Sequence, residues 1–489
     1  MKVESVDVCS PGRLFVTGAL FILTCVLWYC HRKKDGGYGG LKLPPGSLGL
    51  PLLGETISLA RQKVEFFRER RDKFGDIFKT HLFFRPIVRV SGASNLKQIL
   101  KGDDKIVNAI HPSGIRTLLG TESLSQSQGK IHRYRKRGFM QGLTGRHLES
   151  YGNGMAAMIQ EALLDWSSQS RVELADSVQL LTLQLVMSIL YGPNISKEDI
   201  KVLGSHAATI LANLFSLPLN LPGSSYNKAV TARNHLELFA KKFAKNLIGK
   251  VKNNNLPPVL VTILKDANFD EDGNVTEELL TKLTDSSVEI IVAGTGTLFS
   301  TIMNSILLLG KNQGMMKKLY EELTDHYLDD PVTAPLSSIG LQRLQSLTYL
   351  DNIVKEVLRV YPPVGGGYRT AKEAFELDGY LIPKDWTVSF SIRETHENQS
   401  IPLREQFDPD RWQEDNPDRP DKQRFAYIPF GAGVRSCPGK EFAKMAMKLT
   451  ILELCRSYKW TVLDSYNMAL FPTPKPDKDV RVNFTRLKR

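Results

Sequence analysis

One of the five cysteines stands in a segment built for chemistry. Cys437 ends the run Phe430-Gly431-Ala432-Gly433-Val434-Arg435-Ser436-Cys437 and is followed by Pro438-Gly439. Glycines allow a backbone to approach a flat ligand closely and to adopt positive φ. Arg435 can pair bidentately with a carboxylate. A helical run begins at Lys440, which sets the sulfur near a helix N-terminus. The dipole and the free backbone N–H groups there stabilise a thiolate. A lone cysteine is more often a small buried hydrophobe, so the weight rests on the residues around it.

Two further segments carry polar groups at telling spacings. In Lys355-Glu356-Val357-Leu358-Arg359, the apolar residues Leu347, Leu350, Ile353, Val354, Val357, Leu358 and Tyr361 form one helical stripe. Glu356 and Arg359 fall on the opposite face. Read alone, they are an i,i+3 ion pair worth a few tenths of a kcal/mol. The other segment is Glu289-Ile290-Ile291-Val292-Ala293-Gly294-Thr295-Gly296-Thr297. Gly294 and Gly296 each weaken a helix by about 1 kcal/mol relative to Ala, which predicts a local opening. The Thr297 hydroxyl, both donor and acceptor, could hold a water there, and the two glycines are expected to leave room for it.

These segments need a body to position them. The chain has 489 residues, 42% hydrophobic and 24% charged, an ordinary globular composition. Long amphipathic helical patterns cover 149–195 and 226–252. Short alternating runs at Ile87-Val88-Arg89-Val90 and Trp386-Thr387-Val388-Ser389-Phe390 predict strands. With no internal repeat, the pattern predicts a single mainly α domain with a small β part. Cys9, Cys25, Cys30, Cys437 and Cys455 are too few and too scattered for a disulfide framework. The charge of +12 suits an anionic membrane or an acidic protein partner. No zinc-finger, homeodomain or RNA-binding pattern accompanies it, so no nucleic acid is expected. Asn268 to Gly273 resembles the start of a calcium loop, but Leu279 stands where the bidentate Glu belongs.

The N-terminus reads as an anchor. Leu14 to Cys30 is a run of 17 residues without charge, about 26 Å long as a helix. His31-Arg32-Lys33-Lys34 follows, and this positive excess puts the remainder in the cytosol. No small-residue cleavage site follows the run. The expected division is a short lumenal N-terminus at 1–13, a transmembrane helix at 14–30, a basic Gly/Pro-rich linker at 31–54 and a catalytic domain at 55–489. In this orientation the sequons at Asn194, Asn274, Asn398 and Asn483 are ordinary asparagines.

The segment Phe-x-x-Gly-x-Arg-x-Cys-x-Gly resembles the haem-binding signature of cytochromes P-450, with every fixed position matched. The resemblance runs from about residue 40 to 485. It implies the cytochrome P-450 fold, a single haem domain behind the anchor, and haem b with Cys437 as axial thiolate. Phe430, Gly431 and Arg435 would belong to the cofactor loop. By the same resemblance Glu356, Arg359 and Arg411 form a buried Glu–Arg–Arg network behind that loop. Arg369 and His132 match positions that reach the haem propionates, and Lys136 stands where the family usually has Arg. Thr297 matches the oxygen-side threonine, whereas Gly296 replaces the usual acid.

The chain resembles most the animal branch that hydroxylates retinoic acid, through Leu43-Pro44-Pro45-Gly46, Asn213-Leu214-Phe215-Ser216-Leu217-Pro218 and Pro362-Pro363-Val364-Gly365-Gly366-Gly367-Tyr368-Arg369. His111 and Gly365 depart from that branch, where Trp and Pro are usual, and with Phe215 they are expected to shape the substrate pocket. The resemblance implies an endoplasmic-reticulum monooxygenase, single-pass with a cytosolic catalytic domain. It would act on a small lipophilic isoprenoid, such as retinoic acid or a sterol or terpenoid, with O2 and electrons from an NADPH-dependent flavoprotein reductase. The alternatives are a haem-thiolate isomerase or dehydratase needing no external electrons, or a non-catalytic haem-containing lipid-binding protein.

Overall fold

The computed structural model describes residues 18–19, 21–26, 40–50, 53–192, 195–251, 257–264, 276–397 and 406–487, without the side chains of 244–251, 262 and 264. Residues 18–19 and 21–26 are helical, and Phe21, Ile22, Leu23 and Val26 are exposed. The rest of the expected anchor, the basic cluster at 31–34, the acidic turn at 268–273 and the sequons at Asn194, Asn274 and Asn398 lie outside the described residues. The described residues divide into two compact units.

The first unit comprises the residues up to 91 together with 105–108 and 368–390. It carries a five-stranded sheet of β1 (Ile77–Leu82), β2 (Arg85–Val90), β3 (Val107–Ala109), β4 (Gly366–Ala371) and β5 (Thr387–Ser391). Their order is β1-β2-β5-β4-β3. β1 and β2 form an antiparallel hairpin, and β2 pairs β5 in parallel. Both residues of the hairpin turn, Phe83 and Phe84, have positive φ, the backbone a two-residue turn needs to match strand twist. The proline-rich end of the expected linker is laid along β1. Lys79 N–H donates to the Pro45 carbonyl at 2.7 Å and Glu55 N–H to the His81 carbonyl at 2.8 Å. The packed body therefore begins before residue 54, the boundary that the sequence suggested.

The second unit, 92–104, 109–367 and 391–489, is mainly helical. Its principal helices are α1 (Gly129–Gly142), α2 (Gly145–Ser168), α3 (Leu174–Tyr191), α4 (Lys197–Asn213), α5 (Ser225–Val251), α6 (Glu277–Gly310), α7 (Thr348–Val360) and α8 (Lys440–Ser457). The helix expected across 149–195 is two. The hydroxyls of Ser167 and Ser168 bond back to the carbonyls of Leu164 and Asp165, which competes with helix propagation. The chain then forms a short strand, Val172–Glu173, paired to Arg481–Arg486. α5 matches its expected span within a residue.

α6 starts at a Thr276 cap, whose hydroxyl accepts the Leu279 N–H at 3.2 Å. Glu277 and Glu278 in its first turn complement the helix dipole. α6 packs against α3, α4, α5, α7 and α8. Both α3 and α6 are long and apolar enough to cross a membrane, yet both are mostly buried, so they are core helices.

A buried histidine closes the helix Ile392–His396 against the loop that leads to Cys437. His396 Nε2 accepts the Ile428 N–H at 3.0 Å, so a proton placed there would face a donor. Burial, then the nearby Arg359 charge, lowers its pKa to about 3. The unfolded chain has an ordinary histidine near 6.5 and binds the proton first. Stability therefore rises with pH between about 3 and 6.5 and levels off above. His396→Gln keeps an acceptor for Ile428 without titrating. It is expected to flatten the fall in thermal midpoint between pH 7 and pH 5, recorded at one scan rate.

Candidate functional site

The loop before α8 is held in an unusual backbone path. Gly431 and Gly433 have φ of +67° and +69°, the left-handed region that L side chains avoid. A Cβ at Gly433 would lie 2.5 Å from the Leu100 carbonyl oxygen, so that position also demands close approach. Cys437 N–H donates to the Phe430 carbonyl at 2.9 Å, closing the loop on itself. Phe430 packs against the helical core. α8 begins three residues after Cys437 with Gly439 as its cap.

Cys437 keeps accessible surface, while desolvation is the largest influence on its thiol and raises its pKa. The Gly439 N–H and the charges of Lys136 and Lys440 act the other way and favour the thiolate. Among the described residues, the cysteine is in no disulfide.

α1 brings His132 and Lys136 to the same place. His132 is buried, and its Nδ1 has no hydrogen-bond partner. Burial first, then the charges of Arg435 and Lys136, lower its pKa to about 4, so it is neutral at physiological pH. An unmet imidazole nitrogen amid cations, with an exposed cysteine on the adjoining loop, is a donor set that suits an iron porphyrin carrying carboxylates. Arg435 donates to the Ser127 carbonyl at 2.8 Å, to Gln128 Oε1 at 2.7 Å and to the Ser125 carbonyl at 3.4 Å. The guanidinium thus braces the loop against the segment 125–128.

Behind the loop, Glu356 and Arg359 are fully buried rather than an exposed pair. Glu356 accepts from Arg359 through both oxygens at 2.8 Å, from Trp412 Nε1 at 2.8 Å, from the Asp408 N–H at 3.1 Å and from Arg411 Nε at 3.3 Å. Arg359 also donates to the Gln406 carbonyl at 3.1 Å. The side of α7 opposite its apolar stripe is thus covered by the segment 406–412.

α6 runs unbroken through its glycines, so the predicted opening is absent. The space beside the glycines is taken by neighbouring helices. A Cβ at Gly294 would meet Val186 of α3 at 3.1 Å, and one at Gly296 would meet Leu211 of α4 at 2.8 Å. The missing side chains let those helices pack close. Accessible surface lies at exposed Ala293 and at half-buried Gly294 and Thr297, whereas Val292, Gly296 and Leu298 are buried. Thr297 Oγ1 donates to the Ala293 carbonyl at 2.8 Å, which leaves its lone pairs as acceptors.

Phe215 is exposed after α4, with its ring 5.0 Å from that of Phe471. Gly365 sits beneath Arg393, whose guanidinium carbon is 3.6 Å from where a Cβ would be. His111 is half-buried in the turn before the helix Ser113–Leu119. Arg369 belongs to the first unit, buried, with its guanidinium 5.0 Å from the Phe390 ring centre.

Two carboxylates of α6 were missed from sequence. Glu289 accepts the N–H groups of Leu124 and Ser125 at 2.6 and 2.8 Å. Asp285 accepts the Glu122 N–H at 2.9 Å and pairs Arg233 of α5 at 2.6 Å. Burial is the first influence on both and raises their pKa. Ser125 thus bonds α6 through its N–H and Arg435 through its carbonyl. Acids in an otherwise apolar stripe were the available signal.

A mainly helical body that presents one cysteine on a glycine-bent loop, with cations and a buried Glu–Arg network around it, defines a haem-thiolate protein. The family model for cytochrome P450 matches residues 44–476. Cytochrome P450 26B1 of Danio rerio is 36% identical, over 99% of this chain and 96% of its own. Cytochrome P450 26A1 of the same fish is 33% identical, over 96% of each. Among solved structures, retinoic acid-bound cyanobacterial CYP120A1 superposes with a TM-score of 0.81 at 31% identity, over 92% of this chain and all of its own. The chain belongs to the cytochrome P450 family and is a haem-thiolate monooxygenase.

Removing one partner of a buried charge network leaves the others uncompensated, at about 3–5 kcal/mol. Glu356→Gln keeps the shape and strands Arg359 and Arg411. Its expected result is a large fall in thermal midpoint and in recovered haem protein. A variant of normal stability would show that the network is dispensable.

Proposed function

We propose that this chain hydroxylates retinoic acid or a closely similar isoprenoid, with electrons from an NADPH-dependent flavoprotein reductase at the endoplasmic-reticulum membrane. The observation that carries the substrate class is the likeness to CYP120A1 with retinoic acid bound, at 31% identity. The pair Phe215–Phe471 offers aromatic surface to a flat polyene, and His111 and Gly365 would tune the fit.

Cys437 would ligate the haem iron. His132 and Arg369 would face its carboxylates, with Arg435 bracing the loop. When bound, haem supplies the activation of dioxygen. The chain's own residues hold the surroundings. The Gly439 N–H and the charges of Lys136 and Lys440 favour the ionised Cys437 sulfur against the opposing effect of burial. Thr297 Oγ1 accepts a hydrogen bond from water and so holds a proton donor at the oxygen side. Gly296 contributes no acid, and Leu211 fills its place.

For the membrane, the uncharged run Leu14 to Cys30 acts as anchor and the packed body that begins near Pro45 as the catalytic part. Exposed Phe215, Leu217, Leu219 and Leu221 give the helical unit an apolar edge of its own.

Titrating the purified haem protein with retinoic acid is expected to shift the Soret band from low to high spin, and reductase plus NADPH to give a hydroxylated product. The carbon monoxide adduct should show the long-wavelength band of a thiolate haem, lost in Cys437→Ser. Tight shifts with small polar compounds and none with retinoids would overturn the substrate class. Product formed without NADPH would favour the isomerase reading. Deleting residues 1–34 should release much of the protein from membranes in high salt. Alkali-resistant insertion of that truncated chain would refute the single anchor.

A further inference from the structure

Lys136 stands where the family resemblance calls for an arginine on a haem propionate. The structure joins it to the cysteine loop. Its Nζ donates to the Val434 carbonyl and to Ser436 Oγ, both at 2.8 Å. These two acceptors flank Arg435, and the second adjoins Cys437. The lysine is 8% exposed. Among the described residues, no carboxylate pairs with it. Burial is the first influence on its ammonium and lowers its pKa, and the one anion that acts the other way is Cys437.

We propose that Lys136 is a positioning residue for the thiolate: an ammonium clamp that fixes the loop at Val434 and Ser436 and sets one positive charge beside the Cys437 sulfur.

The loop needs such a clamp. Gly431 and Gly433 give it left-handed turns, and glycine is the residue that loses most conformational freedom on ordering. Its own bonds are few: Cys437 N–H to Phe430, Ser436 N–H to Gly433 and Gly431 N–H to Ile428. Arg435 ties its middle to 125–128 from one side. Lys136 ties the residues on either side of Arg435 from α1. An ammonium is a compact charge with three rotatable donors, able to converge on two acceptors of different geometry. A planar guanidinium is not equivalent there. A clamp of this kind resists the loss of the cysteine ligand, and its charge favours the reduced over the oxidised iron.

The test uses the full-length haem protein and compares Lys136→Met, Lys136→Arg, Ser436→Ala and the double variant Lys136→Met/Ser436→Ala. One readout is the rate at which the carbon monoxide adduct loses its long-wavelength band in mild denaturant. The other is the haem reduction potential. A hydrogen bond to a charged group is worth enough to change such a rate by about tenfold. Lys136→Met is expected to lose the band about tenfold faster and to lower the potential. Ser436→Ala should speed the loss less and leave the potential unchanged. The double variant should be no worse than Lys136→Met alone, because both remove one contact. Lys136→Arg should keep the potential and still lose the band faster. Additive effects of Lys136→Met and Ser436→Ala would place the ammonium on another group and overturn the proposal. So would a Lys136→Met protein with wild-type rate and potential. If the Lys136→Met variants yield no haem protein, Ser436→Ala and Lys136→Arg decide it: wild-type rates in both would reject the clamp.

Discussion

The governing constraint is a sulfur that must ionise where its surroundings favour the neutral thiol. Desolvation raises the Cys437 pKa, whereas ligation needs the thiolate. Much of the helical unit answers that conflict. The cap of α8 turns the Gly439 N–H to the sulfur, α1 contributes Lys136, and the glycines bend the chain between them. Arg435 and Lys136 grip the loop from different sides, so its shape does not depend on the loop's own few hydrogen bonds.

Behind the loop the same logic appears in a different form. Glu356 gathers two guanidinium groups, an indole and a backbone N–H around one carboxylate. A cluster so deeply buried adds little net stability over an apolar core, but removing one member is costly. It therefore serves as a register lock, fixing the segment 406–412 on α7. The pair Asp285 and Glu289 does similar work on the oxygen side, tying α6 to the segment 120–125. Through Ser125 the two sides meet at one residue.

Much of this was legible in sequence, for physical reasons. Cys437, Glu356 and Arg359 were readable because a fixed spacing of uncommon residue types is hard to satisfy by chance. The strands at 85–90 and 387–391 were readable from period-two alternation. Other features depend on partners distant in sequence. Nothing local says that Arg435 would meet the carbonyls of 125 and 127, or that Lys136 would meet Val434. The break between α2 and α3 was missed because four polar residues, Ser167 to Ser170, fit a helical pattern while their hydroxyls favour ending it. The glycines of α6 were misread most plainly. Propensity describes an isolated helix, and here tertiary packing fills the notch.

That filled notch limits how the chain could change. Gly296 and Leu211 sit on different helices, and the space of one is occupied by the other. A side chain introduced at 296 would first have to turn the end of Leu211 aside, since its Cβ would sit 2.8 Å from that methyl. Leu211 is half-buried, so it is able to yield toward the surface. The two positions are therefore expected to vary in concert among descendants of this sequence, with a smaller residue at 211 wherever a larger one stands at 296.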